Sequence, residues 1–290
     1  MRKTDKNYYT AREAQEILGM SYSALRNQVN AGTIKDSIPP GRRQAVYIKK
    51  DVDQLRKEMD AWLVSRNVEK TPSSQFVKAT IEDMPEAVAL AGEVFGGLNT
   101  ISVEKRVEWL KKNPDIDYLL KQEGLLIGYL SLVPLRSKTI EDLLTLKRFA
   151  KDLTSGDILA YESNIPVDIY GMAIGVKPGF SRSEKRVYGE RLILGAMNVL
   201  LDLGNRGIPV RRIVAHSFTP EGIRLMRHIG FTETPPKAPG LRDFVIDIES
   251  SGIKFIEGYK ENFREWQEKN SSDTQESSST EATTRRRKKS

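Results

Sequence analysis

The segment 168–231 constrains the fold most strongly, because strand and helix patterns alternate along it. Its first part alternates large residues with small ones from Tyr170 to Val176, and this period of two predicts a sheet strand. A polar loop, Lys177–Lys185, leads into a long predicted helix. A second strand, Arg212–His216, and a short helix complete the segment. The long helix has an apolar stripe at helical spacing, formed by Leu192, Ile193, Ala196, Val199, Leu200 and Leu203.

Capping signals define the ends of both helices. Gly204 and Gly207 end the long helix, while Thr219 caps the short one, with Pro220 in its first turn and Gly230 at its end. A strand–helix–strand unit of this kind requires a right-handed crossover and places the start of the helix at the end of a strand. Because the first N–H groups of a helix are free and its dipole points outward, we expect anions to bind there.

Three motifs in this part of the chain resemble the GNAT N-acetyltransferases, and the likeness in element order extends from about Phe76 to Ile248. The motifs are Val176-Lys177-Pro178, the run 186–191, and Ile229-Gly230-Phe231 after the helix. The phosphate loop of that family, Gln/Arg-x-x-Gly-x-Gly/Ala, holds the pyrophosphate of acetyl-CoA with backbone amides. The resemblance implies an α/β (α+β) fold with a mixed sheet and flanking helices, and acetyl-CoA or another acyl-CoA as the cofactor. The implied cofactor contacts are Val176, Arg186, Val187, Tyr188, Gly189, Glu190 and Arg191.

Two positions depart from the family pattern, and both affect the expected chemistry. Arg191 stands where the loop ends in a small residue, so that its side chain either contacts the phosphates or fills their space. Met226 stands where the family usually has a tyrosine that acts as general acid, and a thioether cannot donate a proton. His216, Glu162 and Tyr188 are the alternative catalytic candidates, and a lone histidine at a strand end is more often a hydrogen-bonded structural residue. The sequence therefore leaves catalysis open.

The composition excludes several kinds of site. The chain has 290 residues, enough for about two domains. It has no cysteine, which excludes disulfides, cysteine nucleophiles and thiolate metal sites, and its two histidines are too few for a histidine-rich metal site. A net charge of +7 favours a polyanionic partner. Since no signal peptide or membrane-spanning run is visible, we expect a soluble, cytoplasmic protein without a bound metal.

Residues 1–65 predict a small separate domain that begins with two helices. Thr10 is placed to cap the first helix, Gly19 to end it, and Ser21 to cap the second. Two helices separated by a turn centred on glycine have the spacing of a helix-turn-helix.

An extended pair of segments follows these helices and predicts a β-hairpin wing. The turn Pro39-Pro40-Gly41 precedes the extended run Ala45–Ile48, and Asp51 caps a last helix. The segments from Tyr9–Ala14 to Tyr47–Val52 resemble the winged helix-turn-helix of MerR-type regulators and phage excisionases. The resemblance implies a DNA-binding domain and a role in transcription regulation.

The second predicted helix carries side chains suited to double-stranded DNA. Hydroxyl, amide and guanidinium groups provide donors and acceptors for base edges and phosphates in a major groove. They belong to Ser21, Tyr22, Ser23, Arg26, Asn27 and Gln28. Arg42 and Arg43, near the tip of the wing, would lie along a phosphate strand or in the minor groove. The alternative is a solvated polar helix face, but helix, turn, helix and wing together favour DNA binding.

The polar segment 66–75 predicts a linker, and residues 76–250 predict the GNAT-like domain. This domain is expected to begin with a strand, two helices and a hairpin, over 76–79, 82–95, 103–112 and the turn Glu123-Gly124.

The segment Pro134–Val167 is predicted to hold an added helix. Its apolar residues are Leu143, Leu144, Leu146, Phe149 and Leu153. We interpret it as an extra packing layer or, alternatively, as a lid with Glu162 or Asp168 facing the substrate.

Residues 251–268 predict an amphipathic helix, with Phe255, Tyr259, Phe263 and Trp266 at helical spacing. This aromatic stripe either packs on its own domain or forms a homodimer through the 254–268 helix. Residues 269–290 are rich in Ser, Thr and Glu and end in basic residues, and this composition predicts a disordered tail. Its basic end would either contact DNA without sequence preference or only solubilise the chain.

Three functions are compatible with these features. The first is a DNA-binding regulator whose acyl-CoA-binding domain senses a ligand or has lost its chemistry. The second is an active N-acetyltransferase that its N-terminal domain brings to nucleic acid. The third is an architectural protein of a mobile element, whose second domain serves interaction alone.

Overall fold

The computed structural model describes residues 7–39, 44–64, 74–96 and 101–287. Its first six elements form a small N-terminal unit: β1 (Tyr8–Thr10), α1 (Ala11–Leu18), α2 (Tyr22–Asn30), β2 (Asp36–Ser37), β3 (Val46–Ile48) and α3 (Lys49–Val64). The three short strands pair antiparallel in the order β1-β3-β2. Helices α1, α2 and α3 enclose a core that includes Leu18, Leu25 and Tyr47.

Capping explains where α1 begins and ends and where α2 begins, as predicted. Thr10 and Glu13 form a capping box at the start of α1, and Gly19 ends it in a left-handed conformation with φ of 63°. The side chain of Ser21 accepts a hydrogen bond from the amide of Ala24 and starts α2. The two predicted helices and the turn between them are therefore present in this unit.

A seven-stranded mixed sheet with helices on both faces forms the larger part of the chain. Its strands lie in the order β4-β5-β6-β7-β8-β10-β9. All neighbours are antiparallel except β7 and β8, which are parallel. The elements are β4 (Ser74–Lys78), α4 (Met84–Phe95), α5 (Val103–Lys112), β5 (Asp117–Gln122), β6 (Leu125–Leu135), α6 (Ser137–Leu144), β7 (Val167–Val176), α7 (Arg182–Asn205), β8 (Val210–Ser217), α8 (Pro220–Ile229), β9 (Thr232–Thr234), β10 (Arg242–Asp247) and α9 (Lys254–Arg287).

The two faces of the sheet have separate cores. Helices α4, α5 and α6 cover one face, where Trp109, Val133 and Tyr170 are buried. Helices α7, α8 and the first part of α9 cover the other, where Leu203 and Phe244 are buried. Because β7 and β8 run parallel, α7 must cross from one to the other on this second face.

The segment between β6 and β7 is a packing layer, as the first of the two interpretations predicts. Leu143, Leu144 and Leu153 are buried in the core that α4 and α5 share. The helix is shorter than predicted, because α6 ends at Leu144 and Leu146 takes a positive φ of 55°.

Helix α9 packs on α7 through its aromatic residues, as the first of the two interpretations predicts, and a homodimer through this helix stays a prediction. The hydroxyl of Tyr259 donates to the carbonyl of Ile208 at 2.8 Å, and the ring of Trp266 lies against Gly207. The range predicted as a tail begins inside this helix, which extends to Arg287. Extending a helix that packing has already nucleated costs less than starting one. Among the described helices, none is long and apolar enough to cross a membrane.

Candidate functional site

The parallel strands β7 and β8 part near their carboxyl ends. Their pairing runs from Val167 with Val210 to Gly171 with Ala215. Beyond that pair, β7 continues to Val176 along β6, while β8 ends at Ser217. The edge of β7 that faces β8 therefore has backbone N–H and C=O groups that none of the described strands pairs. An opening of this kind, at the carboxyl ends of parallel strands, is where α/β sheets bind ligands.

The start of α7 lies just after the end of β7. Ser181 caps the helix, and Ser181 and Glu184 form a capping box in which each backbone N–H donates to the side chain of the other residue. The amides of Arg182 and Ser183 are left without an intrahelical acceptor, as the first amides of any helix are. Lys177, Arg182 and Lys185 are exposed around this helix start. The position can therefore attract an anion.

The predicted phosphate contacts are corrected by this helix boundary. Helix α7 begins at Arg182, several residues before the predicted start, so Val187, Gly189 and Arg191 lie inside it. Their amides face the carbonyls of the preceding turn and cannot hold a pyrophosphate. The signal for the true start was present in the sequence, because Ser181-x-x-Glu184 is a capping-box pattern.

The side chains of the same run also point to structural roles. Tyr188 is buried, and its hydroxyl donates to Gln122 Oε1 at 2.6 Å. Arg186 pairs with Glu190 at 3.0 Å. The guanidinium of Arg191 donates to the hydroxyl of Ser74. The sequence left two roles open for Arg191, a phosphate contact or an obstruction of the phosphate site. Its hydrogen bond to Ser74 fits neither role.

Gly189 and Val176 complete the predicted cofactor contacts. A Cβ built on Gly189 meets no heavy atom of the described residues within 4 Å, so this glycine does not serve close packing of α7 on Gly171 or Gly175 either. Val176 is the last residue of β7 and lies at the opening, where its role in cofactor binding stays a prediction.

Three titratable side chains lie together at the same opening, on the face that α4 covers. Tyr170 Oη and His216 Nδ1 are 2.7 Å apart. Asp243 is the cross-strand neighbour of His216 in β10, so both side chains point to one face. Asp243 is 1% exposed and its Oδ1 has no hydrogen-bond partner among the described residues, whereas its Oδ2 accepts from the amide of Lys237 at 3.1 Å.

Burial controls the protonation of this group. It lowers the pKa of His216, and the charge of Asp243 partly opposes that shift. It also raises the pKa of Tyr170, and Asp243 adds to that increase. His216 is therefore neutral at physiological pH, with Nδ1 engaged by Tyr170 and Nε2 unpartnered within the described part of the chain. A neutral imidazole can accept a proton at the ring nitrogen that carries no hydrogen, which is Nε2 when Nδ1–H donates to Tyr170.

Sequence reasoning found His216 but missed its two partners. Tyr170 is far from it along the chain, and Asp243 lies beyond the next helix, so only the strand pairing reveals the cluster. The other catalytic candidates do not reach the opening. Glu162 is exposed before the amino end of β7, and Tyr188 is buried against β5. In the four described ranges, no cluster of three or more acidic or histidine side chains could hold a metal.

The predicted DNA contacts of α2 divide into two groups. Tyr22 is 53% exposed, Ser23 is exposed, and Arg26 is partly exposed and paired with Asp36. Ser21 caps the helix.

Asn27 and Gln28 contact the larger part of the chain at α8 and β9, which corrects their assignment as freely available DNA contacts. Asn27 Nδ2 donates to the carbonyl of Glu233, and Gln28 Nε2 donates to the carbonyl of Arg227, each at 3.2 Å. Gln28 is 4% exposed. Arg42 and Arg43 of the predicted wing lie outside the described residues.

Comparison with known proteins gives no family model that matches and no match among curated proteins. Solved structures of acetyltransferases are similar in shape. Naa50 of Arabidopsis thaliana, in complex with a bisubstrate analogue of CoA, is 12% identical, with a TM-score of 0.39 over 60% of this chain and 97% of that one. The PaiA N-acetyltransferase of Thermoplasma acidophilum, in complex with coenzyme A, is 15% identical, with a TM-score of 0.39 over 60% and 99%.

The ribosomal-protein-S18-alanine N-acetyltransferase of Escherichia coli is 12% identical, with a TM-score of 0.37 over 60% of this chain and 94% of that one. These values are too low to assign this chain to a family.

Proposed function

We propose that the seven-stranded sheet and its helices form an acyl-CoA-binding N-acyltransferase domain of the GNAT type. The observation that carries the proposal is the parting of β7 and β8 beside the start of α7. CoA joins an amide-containing pantetheine arm to a pyrophosphate. The free edge of β7 offers backbone partners for the amides, and the helix start with its exposed cations offers a site for the phosphates.

The cofactor contacts in this proposal differ from those that the sequence motif predicted. The phosphates would lie at the amides of Arg182 and Ser183, with Lys177 and Lys185 nearby. The negative charge of Glu184 repels phosphates, but only in part, because its carboxylate already accepts a hydrogen bond from the amide of Ser181. Val176 and the preceding residues of β7 would line the pantetheine arm.

His216 supplies the proton acceptor for acyl transfer in this proposal. An acceptor amine attacks the thioester carbonyl carbon, the C–S bond breaks, and CoA leaves as a thiolate. His216 Nε2 takes the proton that the amine loses and returns it to the thiolate, since Met226 cannot donate one. In the tautomer that this role requires, His216 Nδ1–H donates to Tyr170 Oη, which leaves Nε2 without a hydrogen and able to take the proton from the amine.

A charge at the start of α7 tests cofactor binding. Ser183→Glu places a carboxylate where the phosphates would bind, and we expect acetyl-CoA affinity to fall by at least about tenfold. Thermal stability should not fall, because acidic residues stabilise helix starts. Lys254→Gln changes the net charge by the same amount at the start of α9 and serves as the control. Calorimetric titration of the full chain measures both variants, and equal affinities in the two variants would contradict the proposed site.

We propose duplex DNA binding by the N-terminal unit as a second function. The specific support is the capped helix–turn–helix geometry with Tyr22 exposed and Arg26 partly exposed at the start of α2. Fluorescence anisotropy with a mixed-sequence duplex over a salt series tests it. Arg42→Ala combined with Arg43→Ala should reduce the slope of log K against log salt by about 0.9 for each phosphate that is no longer neutralised. Asn30→Ala, at the far end of α2, is the control, and an unchanged slope without the arginines would contradict their placement.

A further inference from the structure

An apolar cavity lies under the sheet at the point where β7 and β8 part. It has a volume of about 90 Å³ and lies between the strands and helices α7, α8 and the start of α9. Its walls are formed by apolar residues, among them Leu132, Ile193, Leu200, Met226, Ile246 and Phe255. Since a single water needs roughly 10–15 Å³ by this measure, the cavity is several times larger than the minimum for one small group.

Small residues create this space. Gly171 and Ala173 of β7, Ala215 of β8 and Ala196 of α7 all line the cavity, and larger side chains at these positions would fill it. Gly171 and Ala215 are also the last pair that β7 and β8 form. The cavity therefore reaches the opening where the proposed cofactor would place its thioester.

We propose that this cavity holds the hydrocarbon chain of an acyl group, so that the thioester substrate is an acyl-CoA with a longer chain than acetyl-CoA. This inference rests on the proposed function. An acetyl group has a single methyl beyond its carbonyl and would leave part of the cavity unfilled, whereas a longer alkyl chain would occupy it. Within the described part of the chain, the walls offer no hydrogen-bonding side chain to a polar ligand.

The chain length of the ligand tests this assignment. CoA, acetyl-CoA and octanoyl-CoA are titrated into the full protein by calorimetry. Each methylene that is buried should tighten binding roughly fourfold. We therefore expect octanoyl-CoA to bind between about 250-fold and 1,000-fold more tightly than acetyl-CoA, which corresponds to burial of about four or five methylenes.

Two variants on α7 place the chain in this cavity. Ala196→Leu adds a branched side chain to the cavity wall and should bring the ratio of octanoyl-CoA to acetyl-CoA affinity close to one. Asn198→Leu introduces the same side chain on the exposed side of the helix and should keep the ratio. Circular dichroism melts establish that both variants fold, and the ratio within each variant removes any general loss of affinity.

The outcomes separate the two proposals. If none of the three ligands binds, the proposed cofactor function is wrong and the chain assignment fails with it. If all three bind with equal affinity, the cofactor function stands and the acyl-chain assignment is overturned. A preference for octanoyl-CoA that Ala196→Leu leaves intact would place the chain elsewhere and would also overturn it.

Discussion

Gly189 and Gly195 of α7 provide a direct test of where this helix begins and of how its third and fourth turns pack. A Cβ built on Gly189 meets no heavy atom within 4 Å in the described part of the chain. A Cβ built on Gly195 would overlap the ring of Phe76. Because both residues lie in the same helix, replacing each with alanine changes the backbone preference equally and differs only in the space around the new methyl group.

The two substitutions should change the free energy of unfolding in opposite directions. Alanine is favoured over glycine inside a helix by about 1 kcal/mol, so Gly189→Ala should stabilise the fold by up to that amount. For a unit of this size, that corresponds to a rise in melting temperature of about 2–4 °C. Gly195→Ala should destabilise by about 1–3 kcal/mol through overpacking. The ring of Phe76 cannot easily move away, because it stacks on Tyr118 with centroids 5.4 Å apart.

Thermal melts followed by circular dichroism measure both changes, and acetyl-CoA titration adds the functional comparison. Gly189→Ala should bind acetyl-CoA as the unmodified chain does, because residue 189 is remote from the start of α7 at Arg182. Loss of binding in a stable Gly189→Ala protein would show that the phosphates approach this glycine, and the helix-interior interpretation would be wrong. Equal melting temperatures for the two variants would refute the packing argument for Gly195.

Three further predictions concern the titratable cluster and the contact of α2. Because burial lowers the pKa of His216, the unfolded chain binds its proton first, so stability should fall as pH drops below about 6.5. His216→Gln should lose that pH dependence in urea unfolding, and an unchanged dependence would contradict it. Asp243→Asn removes the charge that raises the pKa of His216, so acyl transfer should persist to lower pH; a shift of the rate profile to higher pH would contradict the assignment. Asn27→Ala combined with Gln28→Ala should raise DNA affinity if docking on the sheet competes with DNA, and lower affinity would show that these amides contact DNA directly.

Much of the fold follows from local signals in the sequence. The caps at Thr10, Ser21 and Thr219 start helices as predicted, because each side chain accepts from an amide of its own first turn. The hairpin of β5 and β6 turns at Glu123-Gly124, where both residues have positive φ. Signals of this kind act over a few residues and need no tertiary information.

The candidate site was predicted less well, because its parts are joined by strand pairing. The family motif placed the phosphate loop at 186–191, whereas the capping box of Ser181 and Glu184 starts the helix earlier. Tyr170 and Asp243 come into contact range of His216 only through the register of three strands. A periodic pattern identifies each strand, but it does not specify which residues become neighbours across the sheet.

The contact between α2 and the large sheet links the two proposed functions physically. The side-chain amides of Asn27 and Gln28 donate hydrogen bonds to the backbone carbonyls of Glu233 and Arg227. In the same conformation these amides cannot contact base edges. Both acceptors lie on the segment that follows the cavity-lining residue Met226 through α8 into β9. A ligand that shifts α8 would therefore also move the surface on which α2 is held. DNA binding through all of α2 requires that surface to release it, so the proposed acyl-CoA-binding domain would compete with DNA for this helix.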